Sequence, residues 1–295
     1  MSTIGFVGLG RMGGNMAARL MEARYAVYGT ARDRSHVQSL IDQGLEWRDS
    51  ARELTEAVDV VFTSLPDDDA LIAVASGPDG IVAGLAPGKV WVDTSTVSPL
   101  VARRLARRVR EHGGALLASP VSGSVPQVQS GSLTIMVGGQ RDVFAHIEPI
   151  LRELGTPYYV GDNDQALILK LAINVSLAVQ TLAFAEGYLL ALRSGVDADV
   201  ARNLMMSSAI ASPALKARAP LMLDPPEEAW FDIGFMQKDL ELAREAARQL
   251  QVPLPTAGRA DEVLTVAQEL GYEHRDIAAL LQVLRRMGAA HGMAA

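Results

Sequence analysis

The chain has no cysteine in its 295 residues, so neither a disulfide framework nor a thiolate metal site can form. That fits a reducing compartment. Its five histidines are scattered without ligand spacing, which argues against a metal enzyme. Basic residues are in deficit, 27 Lys and Arg against 34 Asp and Glu, a formal charge of −7. A general nucleic-acid binder needs a basic surface, which this balance does not supply. There is no internal repeat and no low-complexity linker. The first apolar run begins within the first few residues, leaving too little for a signal peptide, so the expectation is a soluble cytoplasmic protein. Apolar residues make up 49% of the chain, enough for a sizeable core rather than disorder, and the length suits two domains.

The longest apolar segment runs from Gln165 to Ser194, with no proline and one late glycine, Gly187. It is far too long for a strand and predicts one helix of roughly 40 Å. Lys170, Asn174, Gln180 and Glu186 interrupt it too often for a membrane span. Lys170 and Asn174 lie one turn apart and share a face. The segment reads as a pillar between two domains that projects Lys170 into the cleft. The competing reading of Lys170 is a snorkelling side chain with its ammonium in water.

Before the pillar, strand and helix patterns alternate. Thr3–Val7 is a short apolar run, followed by Gly8-Leu9-Gly10-Arg11-Met12-Gly13 and a helix-forming stretch. In a G-x-G-x-x-G turn the first glycine makes the tight turn. The second lets the backbone approach a pyrophosphate, and the third lets the helix pack on the strand. The helix N-terminus then offers amides and a positive dipole end to phosphate. Position after a strand and before a helix makes the motif specific. The next strand, Ala26–Thr30, ends at Ala31 without a carboxylate for a ribose 2′-OH, and Arg32, Asp33 and Arg34 follow. A guanidinium suits a 2′-phosphate. The expected cofactor is therefore NADP(H) with Arg32 on the 2′-phosphate. NAD, with Arg32 and Arg34 merely solvated, is the alternative.

Further strands are expected at Val58–Ser64, Val90–Asp93, Ala115–Ser119, Leu133–Val137 and Thr156–Val160. Leu100–His112 reads as a helix with Arg103, Arg104, Arg107, Arg108 and Arg110 on one broad face, a solvated outer face in so acidic a chain, with a phosphate-binding patch as the alternative. Pro120–Pro126 reads as a rigid loop able to aim amides and hydroxyls at an anion. After Ser194 only helical patterns follow, with Pro213, Pro220, Pro225 and Pro226 marking turns or helix ends. The expected architecture is an α/β Rossmann dinucleotide-binding domain, residues 1–162, followed by an all-α domain, residues 163–295, that includes the long helix 165–194. An Ala/Leu-rich helical domain also suggests burial against a partner copy, as a homodimer or homotetramer.

The chain resembles the β-hydroxyacid dehydrogenase family, a 6-phosphogluconate dehydrogenase-like group. It contains 3-hydroxyisobutyrate dehydrogenase, tartronate semialdehyde reductase and the glyoxylate/succinic semialdehyde reductases. The motifs that carry the resemblance are GFVGLGRMGGNMA at Gly5–Ala17, SLPDDD at Ser64–Asp69, VDTSTVSP at Val92–Pro99, SPVSGSVPQVQSGSLTIMVGG at Ser119–Gly139, GDNDQALILKLAIN at Gly161–Asn174 and FDIGFMQKDLELA at Phe231–Ala243.

The resemblance implies Lys170 as catalytic lysine, Asn174 beside it, Ser122 and Gly123 as the substrate-carboxylate loop, and Thr96 near nicotinamide and substrate. It further implies Leu65 and Pro66 along the cofactor, Lys238 in contact with it, Asp239 following on the same helix as a candidate substrate contact, and Phe231 closing the cleft. The chain departs from the family pattern in three places: the stretch Asp164-Gln165-Ala166 where glycines are usual, Arg24 in place of a turn glycine, and Ala31 in place of an Asp or Asn.

The implied reaction is hydride transfer between NADP(H) and a small carboxylated aldehyde or hydroxy acid. A positioned lysine would stabilise the developing oxyanion and exchange its proton, helped by a pKa lowered through burial. The rival readings are an imine reductase on the same scaffold, which would replace the lysine with Asp or Tyr, and a non-catalytic cofactor-binding module. No nucleic acid, membrane or metal enters the expected partner set.

Overall fold

The computed structural model describes residues 2–290, and contact density divides the chain into two compact units, Met1–Lys170 and Leu171–Ala295. The first unit is built around a nine-stranded sheet. In chain order it comprises β1 (Ile4–Val7), α1 (Arg11–Glu22), β2 (Val27–Thr30), α2 (Gln38–Asp42), β3 (Glu46–Trp47), α3 (Ala51–Ala57), β4 (Val60–Thr63) and α4 (Asp68–Ala75). Then come β5 (Val90–Asp93), α5 (Pro99–Glu111), β6 (Ala115–Ala118), β7 (Val121–Ser122), α6 (Val125–Ser130), β8 (Leu133–Gly138), α7 (Arg141–Leu154) and β9 (Gly155–Gly161). The strand order is β3-β2-β1-β4-β5-β6-β8-β7, with β9 on β8. β1 to β6 run parallel, and β8 enters antiparallel to β6. Strands β1, β4 and β5 are buried along their whole length, as their unbroken apolar runs require when helices cover both faces. Phe6 and Phe62 stack at 5.1 Å within this core.

The order reverses between β1 and β4. Open parallel sheets form a crevice at such a point, outside the carboxyl ends of the strands. The loops that end there are Gly8–Gly10, Ser64–Asp67 and Thr94–Ser98. On α5 the arginine row is exposed while Val101, Ala102, Leu105, Ala106 and Val109 pack inward, so it is the solvated face read from the sequence.

The helix α8 (Asn163–Arg193) starts two residues before and ends one residue before the predicted limits. Gln165 Oε1 accepts from Asp162 N at 2.8 Å, half of a capping box that marks the start. Its mean hydropathy of 1.8 and its length would allow a membrane span. It is instead a core helix: Ala166, Leu167, Leu171, Ala178, Leu182, Phe184, Ala185 and Tyr188 are buried in protein.

The second unit adds α9 (Ala198–Ser207), α10 (Pro213–Leu223), α11 (Ile233–Leu250), α12 (Pro255–Glu269) and α13 (Leu280–Ala290). Pro220 corrects one expectation: it lies inside α10 rather than at a turn. Asp197, Ser212 and Asp232 cap α9, α10 and α11 through side-chain oxygens. Asp276, 1% exposed, ties this unit together. Its carboxylate accepts from Trp230 N, Phe231 N and Ala278 N at 2.8, 3.0 and 2.9 Å, and pairs with the buried Arg218 at 3.0 Å. A buried charge is tolerable only when so fully satisfied.

A second buried carboxylate, Asp93, ends β5. Burial pushes its pKa up to about 6, against hydrogen bonds from Ser95 and Thr63 that pull it down; the nearby Asp68 charge adds to the rise. The folded chain therefore takes up this proton near pH 6 and the unfolded chain near 3.8. Between those values the folded state holds more protons, so stability falls as pH rises through the window, by about 3 kcal/mol in total. Asp93→Asn is expected to lack this slope. Unfolding of variant and wild type from pH 4 to 8 should show the variant gaining about that much relative stability, whereas a pH-independent difference would rule out the assignment.

Candidate active site

The turn from β1 into α1 leaves no space for side chains at two of its glycines. Gly8 has φ +93°, and a Cβ there would meet Ser64 O at 2.5 Å. A Cβ on Gly13 would meet Gly8 O at 2.0 Å. Gly10 differs: nothing lies within 4 Å of its Cβ position, and it is exposed. Protein packing does not demand glycine at position 10, but a ligand lying on the backbone would. Gly10 is also the N-cap of α1 and gives it no side-chain cap, so the first amides keep their dipole end for an incoming group. Leu9 is buried, Met12 half-buried and Arg11 exposed, so these residues carry the turn through backbone and packing. Together these features fit a dinucleotide pyrophosphate.

At the end of β2, Ala31 is half-buried and Arg32 exposed. Asp33 is engaged locally, accepting from Ser35 N at 2.8 Å to cap a short 3₁₀ turn. Arg34 lies over the Trp47 ring at 5.7 Å. Of this trio, Arg32 alone is given no such local task among the described residues.

The loops after β4 and β5 are joined by side-chain hydrogen bonds. Leu65 N donates to Ser95 Oγ at 3.0 Å, and Ser98 N donates to Asp68 Oδ1 at 2.7 Å. Leu65, Pro66 and Thr96 thereby sit on clasped segments at one crevice with the glycine turn. Asp93 and Ser95, which anchor them, were not among the residues singled out from the sequence. The available signal was a lone acid ending an apolar strand with a serine two residues on, an Asx-turn pattern.

The expected loop Pro120–Pro126 needs correction: it holds β7 and the first turn of α6. Ser122 pairs with Thr134 of β8, and Gly123 follows at φ +130°, exposed. Gln127 Oε1 accepts from Ser124 N at 2.9 Å and from Ser124 Oγ at 3.0 Å. The signal missed there was S-x-x-Q, Ser124 to Gln127, a helix-start pattern.

On α8, Lys170 is half-buried, the last residue of the first unit, and Asn174 is 2% exposed. In the second unit Asn174 Nδ2 donates to Asp239 Oδ2 on α11, and Lys238 Nζ lies 3.0 Å from Asp239 Oδ1. Asp239 is 1% exposed, so its place is behind Asn174 rather than on an open surface. Phe231 is half-buried, its amide held by Asp276. The unusual Asp164 and Gln165 have local tasks: Asp164 pairs with Arg103 of α5 at 3.1 Å, and Gln165 caps α8. Arg24 adopts φ +67°, the left-handed geometry for which glycine would be the easier residue. The described residues contain no cluster of three or more His, Asp or Glu suited to a metal.

Residues 3–161 match the family model described as the NAD binding domain of 6-phosphogluconate dehydrogenase. Residues 165–284 match that described as NAD-binding of NADP-dependent 3-hydroxyisobutyrate dehydrogenase. Over 285 residues the chain is 33% identical to 2-hydroxy-3-oxopropionate reductase of Escherichia coli, covering 96% of this chain and 97% of that one. It is 30% identical to glyoxylate/succinic semialdehyde reductase 2 of Arabidopsis thaliana, covering 96% and 79%. Among solved structures, Psf3 in complex with NADP+ and 2-OPP superposes with a TM-score of 0.88 at 27% identity, covering 96% of this chain and all of the other. An imine reductase from Pseudomonas sp. has a TM-score of 0.64 at 22% identity, a likeness of fold alone. With both family models matched in order along one chain, this protein belongs to the β-hydroxyacid dehydrogenase family and is an NAD(P)-dependent oxidoreductase acting on CH–OH donors.

Proposed function

We propose that the protein reduces a small carboxylated aldehyde, or oxidises the matching hydroxy acid, with NADP(H) and with Lys170 as general acid and base. The observation that carries this reading is the pair Lys170 and Asn174, one turn apart on α8, with Asn174 anchored by the buried Asp239. The relatives named for semialdehyde and hydroxy-acid chemistry point to the same substrate class.

The bound dinucleotide supplies the hydride. As the carbonyl oxygen gains negative charge, the Lys170 ammonium stabilises it and delivers a proton to it; in the oxidative direction the neutral amine accepts the alcohol proton. Asn174 orients the reacting oxygen, and Asp239 serves by fixing the Asn174 amide. Ser122, the Gly123 amide and Thr96 are the donors assigned to the substrate carboxylate. Phe231 excludes water from the bound substrate, and Lys238, with Gly8–Gly13, Leu65 and Pro66, holds the cofactor. Arg32 takes the 2′-phosphate, which favours NADP over NAD. A chain without cysteine, whose apolar helix is a core helix, is read as a cytoplasmic enzyme.

The second unit exposes Leu190, Leu204 and Ile210, each more than 60% accessible, which supports a homodimer or homotetramer. Light scattering should return two or four times the monomer mass; a monomer at micromolar concentration would remove this part of the reading.

The decisive assay follows NADPH and NADH consumption over glyoxylate and the succinic, tartronate and methylmalonate semialdehydes, with 3-hydroxy acids in reverse and cyclic imines as the contrasting arm. Turnover of imines alone would favour the rival chemistry. Lys170→Ala is expected to lose about 10²–10⁴-fold in kcat/KM while still binding NADPH, and a wild-type rate would refute the assignment. Arg32→Ala should weaken NADPH about ten- to a hundredfold and leave NADH unchanged. Equal effects on both dinucleotides would free Arg32 from this role.

A further inference from the structure

We infer that Asp93 and Ser95 are positioning residues for the dinucleotide, holding the Leu65–Pro66 segment at the crevice through a buried relay of hydrogen bonds. This rests on reading that crevice as the dinucleotide site.

The relay is directional. Trp91 Nε1 donates to Thr63 Oγ1 at 2.9 Å, and an indole N–H can only donate. The threonine hydroxyl then directs its own hydrogen to Asp93 Oδ1 at 2.7 Å. The same oxygen accepts from Ser95 N at 3.1 Å, which turns the chain and fixes the Ser95 side chain. Ser95 Oγ accepts from Leu65 N at 3.0 Å. Thr94 Oγ1 donates to Thr63 O at 2.7 Å and closes the network from the other side. Trp91, Thr63, Asp93, Thr94 and Ser95 are all buried.

Its place explains its purpose. The β4–β5 ladder pairs Val60–Thr63 with Val90–Asp93 through backbone alone and stops there. From Trp91 within the ladder the relay passes through its last pair, Thr63 and Asp93, and reaches Leu65, which lies beyond the last paired residue of β4. A carboxylate adds nothing to an apolar sheet core and costs free energy to bury. What it supplies is a fixed geometry for two successive loops at their carboxyl ends. The Ser98–Asp68 clasp, at 2.7 Å, holds the same pair of loops three residues further along.

The test uses the full-length protein and NADPH as probe, titrated by fluorescence, with steady-state kinetics alongside. Ser95→Ala and Asp93→Ala are expected to raise the NADPH Kd about tenfold, the worth of one buried hydrogen bond. Asp93→Asn keeps a carbonyl acceptor for Ser95 N and is expected to rescue binding to within about threefold of wild type. The apparent KM for NADPH should follow Kd while kcat stays within about threefold, a split that general loosening of the fold would not give. Should Asp93→Ala fail to fold, Ser95→Ala decides alone. A Ser95→Ala Kd within twofold of wild type, or an Asp93→Asn as weak as Asp93→Ala, overturns the inference. Failure of the wild-type protein to bind either NADPH or NADH would instead overturn the dinucleotide reading, and this inference with it.

Discussion

A strand and the helix that follows it must meet here without a side chain between them. A Cβ on Gly13 would lie 2.0 Å from Gly8 O, and a Cβ on Gly8 would lie 2.5 Å from Ser64 O. These approaches bring β1, α1 and the loop after β4 to backbone contact at the point where the sheet order reverses. The uncapped start of α1 then lies at the crevice, and the open space at Gly10 is the room left over. Substituting any larger residue at either tight position would move the helix whose amides the chemistry needs.

Three buried carboxylates organise segments that carry proposed site residues, Asp93 in the first unit and Asp239 and Asp276 in the second. Asp93 gathers Thr63 and Ser95, Asp239 takes the Asn174 amide beside Lys238, and Asp276 collects three backbone amides and Arg218. The physical reason is common to all three. A carboxylate in an apolar interior is stable only when donors surround it, and segments that supply those donors lose their freedom to move. Each carboxylate therefore acts behind a residue proposed to touch ligand: Leu65 in front of Asp93, Asn174 in front of Asp239, Phe231 in front of Asp276.

Much of this was legible from residues alone. The glycine turn needed only its local order, strand, G-x-G-x-x-G, helix. The arginine row on α5 followed from helical spacing, and α8 from length and the absence of proline. Other features escaped because their cause is not local. β3 and β7 have two residues each and exist only because neighbouring strands offer partners. Val125 and Pro126, the first residues of α6, fall in the stretch expected as loop because its prolines and serines resemble turn chemistry, yet Gln127 closes a cap that starts a helix there. Pro220 sits within α10, where packing of Leu215, Ala219 and Met222 outweighs the lost donor. Asp239 follows Lys238 in sequence, but its burial and its bond from the Asn174 amide come from the fold alone.

By itself the sequence determined the class of fold, the place of the glycine turn, the long helix with Lys170 and Asn174, and the absence of any thiolate chemistry. These depend on patterns within a few turns of chain, where sterics and periodicity act without help from distant residues. Only the tertiary structure decided what stands behind the site: which carboxylates are buried, which donors reach them, and which loops they clasp. Thr63 and Asp93 are thirty residues apart, and Asn174 and Asp239 sixty-five. No local pattern encodes such pairings, because the low-dielectric interior that makes them obligatory does not exist until the chain has folded.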